Sequence, residues 1–251
     1  MPRLSLGLGV QTIRKVGGDA QFSPGNLSGL SLWLKADAGV TLSGSNVTAW
    51  ADQSGNGKNM TSVVNPIFVN NAKNGNPALS FTGSEYMNGL GVFTGSSSRT
   101  FFVVYYTDNE AEASNSICGQ SNLDTAATGK AFLIQARNDY LNSSPYLAGY
   151  AADLSGPAYA NNVWNIATAD YNGTTANLYA NGTLYSSGEL ALDTYNTGNC
   201  FIIGCIYDQG SGGYAEFFSG KITEIITYNR VLNGTERGQV NNYLNSKYAI
   251  Y

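Results

Sequence analysis

Residues Phe218–Ile250 read FSGKITEIITYNRVLNGTERGQVNNYLNSKYAI, a strand, a turn and a helix in one uninterrupted run. Alternation over Lys221 to Tyr228 sets Ile222, Glu224, Ile226 and Tyr228 on one side of an extended chain and Thr223, Ile225 and Thr227 on the other. Glu224 is the odd polar residue of an apolar face, so either a partner meets it or the register breaks nearby. After Val231-Leu232, Asn233 stands as a helix N-cap with Glu236 three residues on, the spacing of a capping box that satisfies two amide donors reciprocally. Val240, Tyr243, Leu244 and Tyr248 then fall on one helical face, which predicts a helix packed against a sheet close to the end of the sequence.

Upstream of this run the β periods repeat. Ser31 to Lys35 alternates around Trp33, Val47 to Trp50 leads into the turn Asp52 to Gly57, and Ala78 to Phe81 ends at Thr82-Gly83. Thr100 to Tyr106 is a near-continuous apolar and aromatic run, as expected of a strand buried on both faces. Asn172-Gly173 and Asn181-Gly182 each separate alternating segments, which predicts a three-strand meander over Trp164 to Gly188.

The segment LSLWLKADAGVTLSGSNVTAWADQSGNGKNMT (30–61), then PALSFTGSEYM (77–87), TFFVVYY (100–106) and the closing run resemble, in order, laminin G-like domains of the concanavalin A-like jelly-roll superfamily. The resemblance extends from about Leu30 to Tyr248. It implies an all-β fold, an antiparallel two-sheet jelly-roll sandwich with a short C-terminal helix, over residues 29–251. Residues 1–28 are left as an N-terminal arm. Domains of this kind often hold calcium at a loop rim, and glycosidases of the same superfold carry acids two apart on one strand.

Composition narrows the function. Charged residues make up only 12% of the chain, about half the roughly 25% of globular proteins. The surface is therefore neutral and polar, supplied by Asn, Ser, Thr, Gly and Tyr. A net charge of −4 with 13 thinly spread basic residues offers no stripe to neutralise phosphates, so neither nucleic acid nor an anionic membrane is an expected partner. No apolar run reaches the roughly 18 residues that span a bilayer, and MPRLSLGLGV lacks the pattern of a signal peptide. Cys118, Cys200 and Cys205 are too few for a disulfide framework and read as small core or edge residues.

Histidine is absent, which removes Ser-His-Asp and Cys-His catalysis and the commonest general base. An enzyme built on this chain would run on carboxylates. Asp108, Glu110 and Glu112 have the spacing of a glycosidase pair, but Asn109 and Ala111 intervene where apolar residues are wanted, so a solvated acidic loop is expected there. The same three residues are the calcium candidates, since hard oxygen ligands are what that ion takes. No cofactor is otherwise expected, and no catalytic residue is assigned.

Asp52, Gly55 and Asn56 read as turn chemistry, and Trp33, Trp50 and Trp164 as core residues. Loop tyrosines offer an apolar face and a polar tip to a glycan or protein surface. Among Tyr140, Tyr146, Tyr150, Tyr159, Tyr207 and Tyr214, the ligand-binding candidates are Tyr146, Tyr150, Tyr207 and Tyr214.

In the arm, Leu4, Leu6, Leu8 and Val10 alternate with small residues ahead of a Gly-rich linker. Such a strand cannot bury itself alone and suits β-augmentation onto another subunit. MPRLSLGLG also resembles the openings of tailed-phage structural proteins. The expectation is a non-enzymatic virion protein, a capsid decoration or fibre-like appendage. Its arm docks on other virion or capsid proteins in a homo-oligomer or larger assembly, and its jelly roll faces outward toward host-surface glycan. The alternatives are a carbohydrate- or protein-binding adhesion module of a cell surface and a carboxylate-dependent glycoside hydrolase.

Overall fold

A computed structural model describes residues 21–108, 114–121, 127–138, 143–148, 153–156, 162–208 and 212–251. In chain order the first strands are β1 Leu30–Lys35, β2 Val40–Ser43, β3 Asn46–Trp50, β4 Met60–Val64, β5 Ile67–Lys73, β6 Asn76–Thr82, β7 Tyr86–Gly89, β8 Arg99–Thr107 and β9 Ser114–Gln120. They are followed by β10 Phe132–Asn138, β11 Ser143–Ala148, β12 Leu154–Ser155, β13 Trp164–Tyr171, β14 Thr175–Ala180 and β15 Thr183–Glu189. The last elements are β16 Phe201–Ile203, β17 Ile206–Asp208, β18 Gly213–Ala215, β19 Ser219–Tyr228 and helix α1 Gly234–Tyr248.

The strands pair antiparallel in two stacked layers. In the first, β19 is flanked along its length by β8 on one side and by β6 and then β1 on the other, while β8 continues outward through β13, β14 and β15. The second runs β3, β4, β7, β16, β9, β10, β11, β12. A single bridge, Asn46 to Ile67, joins the layers at one edge. The expected jelly-roll sandwich is the observed fold.

The pleat explains the core. Phe101, Val103 and Tyr105 of β8, with Ala167 and Ala169 of β13 and Ile225 of β19, face inward against Phe132 and Ile134 of β10 and Phe201 and Ile203 of β16. Alternate residues of β8, Phe102 and Val104, point the other way, and with Ile166, Ile226 and Tyr228 they form a second apolar face that Val240, Leu244 and Tyr248 of α1 cover. Each such large side chain taken from water contributes on the order of 2–3 kcal/mol. The run Thr100 to Tyr106 is apolar throughout because both of its faces are covered.

The helix begins as its sequence dictates. Asn233 Oδ1 accepts from the amides of Thr235 and Glu236, both at 3.0 Å, and Glu236 returns a carboxylate oxygen to the Asn233 amide at 2.9 Å. Arg230 donates to both Glu236 oxygens, at 2.8 and 2.7 Å. That pairing, with the Asn233 amide, holds the Glu236 carboxyl down to about 2. Ala249, in the left-handed region at φ 49°, ends the helix. Asn181 and Gly182, at φ 47° and 82°, make the two-residue turn predicted between β14 and β15. At the other hairpin Asn172 Oδ1 instead caps the amides of Thr174 and Thr175, so the turn is an Asx-type loop rather than the tighter form.

The alternation expected over β19 is corrected at one point. The pairing of β19 with β8 shifts register between Ile222 and Glu224, a β-bulge that moves Ile222 to the inner face beside Ile225. Glu224 remains outward with Ile226 and Tyr228, directly under α1, where it is 1% exposed. Its partners wait there. Oε1 accepts from Trp33 Nε1 at 2.7 Å and from the Tyr243 hydroxyl at 3.0 Å, and Oε2 from Lys247 Nζ at 2.8 Å and the Tyr248 hydroxyl at 2.6 Å. Both readings of the odd polar residue, a waiting partner and a broken register, hold at once.

The turn after β3 is structural, as expected. Asp52 accepts the Trp33 amide at 2.9 Å and the Ser54 amide at 2.8 Å, while Asn56 Nδ2 donates to the Leu30 carbonyl at 2.9 Å. These side chains satisfy the outer edge of β1. Trp50 is buried and donates to the Lys35 carbonyl at 3.0 Å. Trp33 and Trp164 depart from the core assignment: they are half-buried and pack against the margin of the outer cluster rather than between the layers. The three cysteines are free and buried. Phe22 and Leu27, within the stretch assigned to the arm, pack on the same outer cluster, and the Tyr228 hydroxyl donates to the Pro24 carbonyl at 2.9 Å.

Candidate ligand-binding face

On the outer face of the second layer the chain leaves the sheet at Gly204 and returns fourteen residues later at Phe218. The Gly204 amide donates to the Ile117 carbonyl at 2.9 Å, and the Phe218 amide donates to the Gly204 carbonyl at 2.8 Å, which closes the base of the excursion. Gly204 sits at φ 95°, and a β-carbon there would lie 2.6 Å from the Glu85 carbonyl and 2.8 Å from the Phe81 ring, so only glycine turns the chain at this place.

Between those points β17 and β18 form a hairpin in which Tyr207 and Tyr214 are directly paired. Their rings meet edge to face, with centroids 5.4 Å apart at 83°. Tyr214 lies on Tyr86 of β7 at 4.4 Å and 36°, and Phe217 meets Tyr86 at 6.2 Å. Ile202 and Cys205 complete an apolar floor. The hairpin is pinned at both ends. The Tyr207 amide donates to Ser121 Oγ at 3.0 Å, and the Ser116 amide donates to the Glu216 carbonyl at 2.9 Å.

A polar end adjoins the rings. Glu216, at φ 51°, turns its carboxylate onto the sheet, where Oε2 accepts from Ser116 Oγ at 3.0 Å and from Gln135 Nε2. Gln135 also donates to Ser116 Oγ at 2.8 Å and accepts from Arg137 Nε at 3.2 Å. Burial, then the neighbouring Tyr214 and Cys205, push the Tyr86 phenol up, and burial pushes the Cys205 thiol up, so both stay neutral at physiological pH. The result is an aromatic ledge beside hydrogen-bonding groups held by the sheet. Such rings suit the C–H face of a sugar, while Ser116 and Gln135, 1% and 2% exposed, brace Glu216 from beneath.

The structure brings together two of the four tyrosines chosen from the sequence, Tyr207 and Tyr214, and places them in strands rather than in loops. Main-chain pairing of Ile206 to Asp208 with Gly213 to Ala215 is what makes the difference. Tyr146 belongs to β11, in register with Gln135. Tyr150 lies outside the described residues, as do Leu4, Leu6, Leu8 and Val10 of the arm. Asp108 directs Oδ1 to Lys221 Nζ at 3.4 Å, whereas Glu110 and Glu112 lie outside the described residues. Among the described residues no group of three or more Cys, Asp or Glu converges as a metal site would require.

Sequence reading missed Tyr86, Phe217, Ser116, Gln135 and Glu216. Ser116 and Glu216 are 100 residues apart in the chain and Gln135 and Glu216 are 81, and no local period links them. The aromatic pairing of PALSFTGSEYM with the hairpin was the one available signal, and only pairing of β7 with β16 reveals it.

Three comparisons place the molecule among known proteins. Residues 104–236, just over half the chain, match the family Laminin_G_3, described as concanavalin A-like lectin/glucanases superfamily. No curated protein matches the chain in sequence. Domain 4 of AbnA, a GH43 extracellular arabinanase from Geobacillus stearothermophilus solved with arabinotriose, superposes with a TM-score of 0.62 at 14% identity, covering 84% of this chain and 98% of that domain. The sialidase of Trypanosoma rangeli in complex with sialic acid gives 0.61 at 15% identity, over 86% of this chain but only 33% of the sialidase. The binding domain of botulinum neurotoxin serotype G gives 0.62 at 17% identity, over 86% of this chain and 51% of that one. At these identities the likeness is one of fold. The chain belongs to the concanavalin A-like lectin/glucanase superfamily, within which its sequence places it as a laminin G-like jelly roll.

Proposed function

We propose that the protein is a non-enzymatic carbohydrate-binding module that holds glycan on the face covered by the β17–β18 hairpin. The observation that carries this reading is the ledge itself: Tyr207 opposed to Tyr214, Tyr214 stacked on Tyr86 at 4.4 Å, and Glu216, Gln135 and Ser116 bonded to one another alongside. Stacking is contributed by the rings, and the buried Ser116 and Gln135 hold Glu216 in place beside them. A similar fold solved with arabinotriose gives the reading further support. Against hydrolysis stands the engagement of Glu216, whose Oε2 is already shared by two donors, whereas glycosidases set a second carboxyl group roughly 5–10 Å from the first.

A glycan array probed with the full chain is expected to give saturable hits, and Tyr214→Ala is expected to weaken them by about 10- to 100-fold, the worth of one stacked ring of roughly 1.5–3 kcal/mol. A blank array, or hits that survive the substitution, would remove the proposal.

We further propose that the module is displayed on a virion as a capsid decoration or fibre-like appendage, anchored by the alternating Leu4, Leu6, Leu8 and Val10 and turned toward host-surface glycan. Deletion of Met1 to Gly18 is then expected to leave a folded domain that no longer joins particles; incorporation at the wild-type level, measured by mass spectrometry of purified virions, counts against the anchor.

A further inference from the structure

On the opposite layer, beside the C-terminal half of α1, lies an open cavity of about 400 Å³ with Phe22, Trp33 and Tyr243 as its aromatic wall and polar side chains around the rest. Trp33 and Tyr243 meet edge to face at 6.4 Å, and Phe22 meets Tyr243 in the same manner at 6.5 Å. Two of these rings cannot swing away. Trp33 Nε1 and the Tyr243 hydroxyl both donate to the same oxygen of the buried Glu224, so the wall stands preformed and a ligand would meet no ordering cost there.

The two lysines beside the cavity are not equivalent. Lys247 is taken up by Asp37 at 3.1 Å and by Glu224 at 2.8 Å, and both Glu224 oxygens are occupied by their four donors. Lys35 is different. Among the described residues its ammonium has no carboxylate partner, and it lies 4.8 Å over the Trp33 ring. Of the two lysines lining the cavity, Lys247 is thus held between two carboxylates and Lys35 is left beside an aromatic surface.

We propose that this cavity is a binding site, separate from the hairpin face, for a six-membered ring that carries a carboxylate. The ring packs against Trp33 and Tyr243, and the carboxylate accepts from Lys35 Nζ. A uronic sugar and an aromatic acid both supply this chemistry.

The test is a titration of the full chain, followed by the indole N–H resonance of Trp33 and the amides of Lys35, Tyr243 and Ser246. The probes are methyl glucuronide and 4-hydroxybenzoate, each beside an uncharged counterpart, methyl glucoside and 4-hydroxybenzyl alcohol. Saturable shifts are expected with at least one acid, and its neutral partner should bind roughly tenfold more weakly, the worth of one charge-assisted hydrogen bond. Which acid prevails identifies the source of the ring. Lys35→Gln, on a half-exposed side chain, should abolish the preference while leaving the melting temperature unchanged, and Tyr214→Ala should leave binding here intact, so this site and the hairpin face fail independently. Absence of saturable shifts with both acids, or a preference that survives Lys35→Gln, overturns the proposal.

Discussion

Glu224→Ala is expected to lower the stability of the fold by about 3–5 kcal/mol, the cost of leaving three buried donors without their acceptor and a largely buried ammonium with one carboxylate fewer. The substitution strands Trp33 Nε1 and the hydroxyls of Tyr243 and Tyr248 in one place and leaves Lys247 with Asp37 alone. Burial, and then the Glu224 carboxylate, push both phenols up, so they remain protonated donors over the physiological range and have nothing to donate to once the carboxylate is gone. For a chain of this length the loss corresponds to a fall in Tm of roughly 10 °C. Glu224→Gln keeps one acceptor and turns a donor toward Lys247, and is expected to fall between. Urea and thermal unfolding give the magnitude, and amide exchange locates it: α1 should lose protection before β8 does. A change below about 1 kcal/mol would mean that the network adds nothing beyond apolar packing.

Arg99→Ala is expected to cost a similar amount, about 3–5 kcal/mol, for a different reason. Arg99 is fully buried at the end of the sandwich, with its guanidinium 5.2 Å from the Phe93 ring, 5.0 Å from Phe132 and 5.3 Å from Tyr171. It donates to the carbonyls of Ser97 at 2.8 Å and Gly95 at 2.6 Å and to Thr194 Oγ1 at 2.8 Å. Burial lowers its pKa to about 10, which measures how strongly the site resists the charge. The ring faces and carbonyl dipoles offset that resistance. Truncation leaves a cavity between aromatic rings and removes a side-chain tie between two loops that the Gly95–Thr194 backbone bridge still joins. Arg99→Met refills most of the volume without the charge, so it is expected to recover about half of the loss in urea unfolding. Full recovery would show that space filling, and not the cation, is what the position supplies.

Much of the architecture was legible because it is written in local periods. The apolar run Thr100 to Tyr106 announces a strand with two covered faces, and it lies at the middle of the first layer. Asn233 and Glu236 announce the start of α1 because their side chains reach only three residues, a distance that secondary structure alone sets. Asn181-Gly182 announces a hairpin because few residues adopt positive φ twice in succession. Glu224 was legible as an anomaly but not as a network, since its four donors come from β1 and α1. A single bulge also moved Ile222 to the other face from Glu224, Ile226 and Tyr228.

The candidate sites were much less visible. Tyr207 and Tyr214 were selected as exposed rings in polar surroundings. Their mutual stacking, their contact with Tyr86 and the adjoining Glu216, Gln135 and Ser116 arise from pairing of strands that are tens of residues apart in sequence. The cavity beside Trp33 has the same origin, with walls from Phe22, β1 and α1. What the sequence determined by itself was the strand-rich sandwich, its closing helix, and the exclusion of histidine chemistry, because alternation, capping and composition act over a few residues or over the chain as a whole. Which rings stand together, which carboxylate is spent on internal donors, and which lysine is left with only an aromatic face were decided by tertiary structure, because those relations depend on strand register and layer packing, and a shift of one residue redirects a side chain to the opposite face.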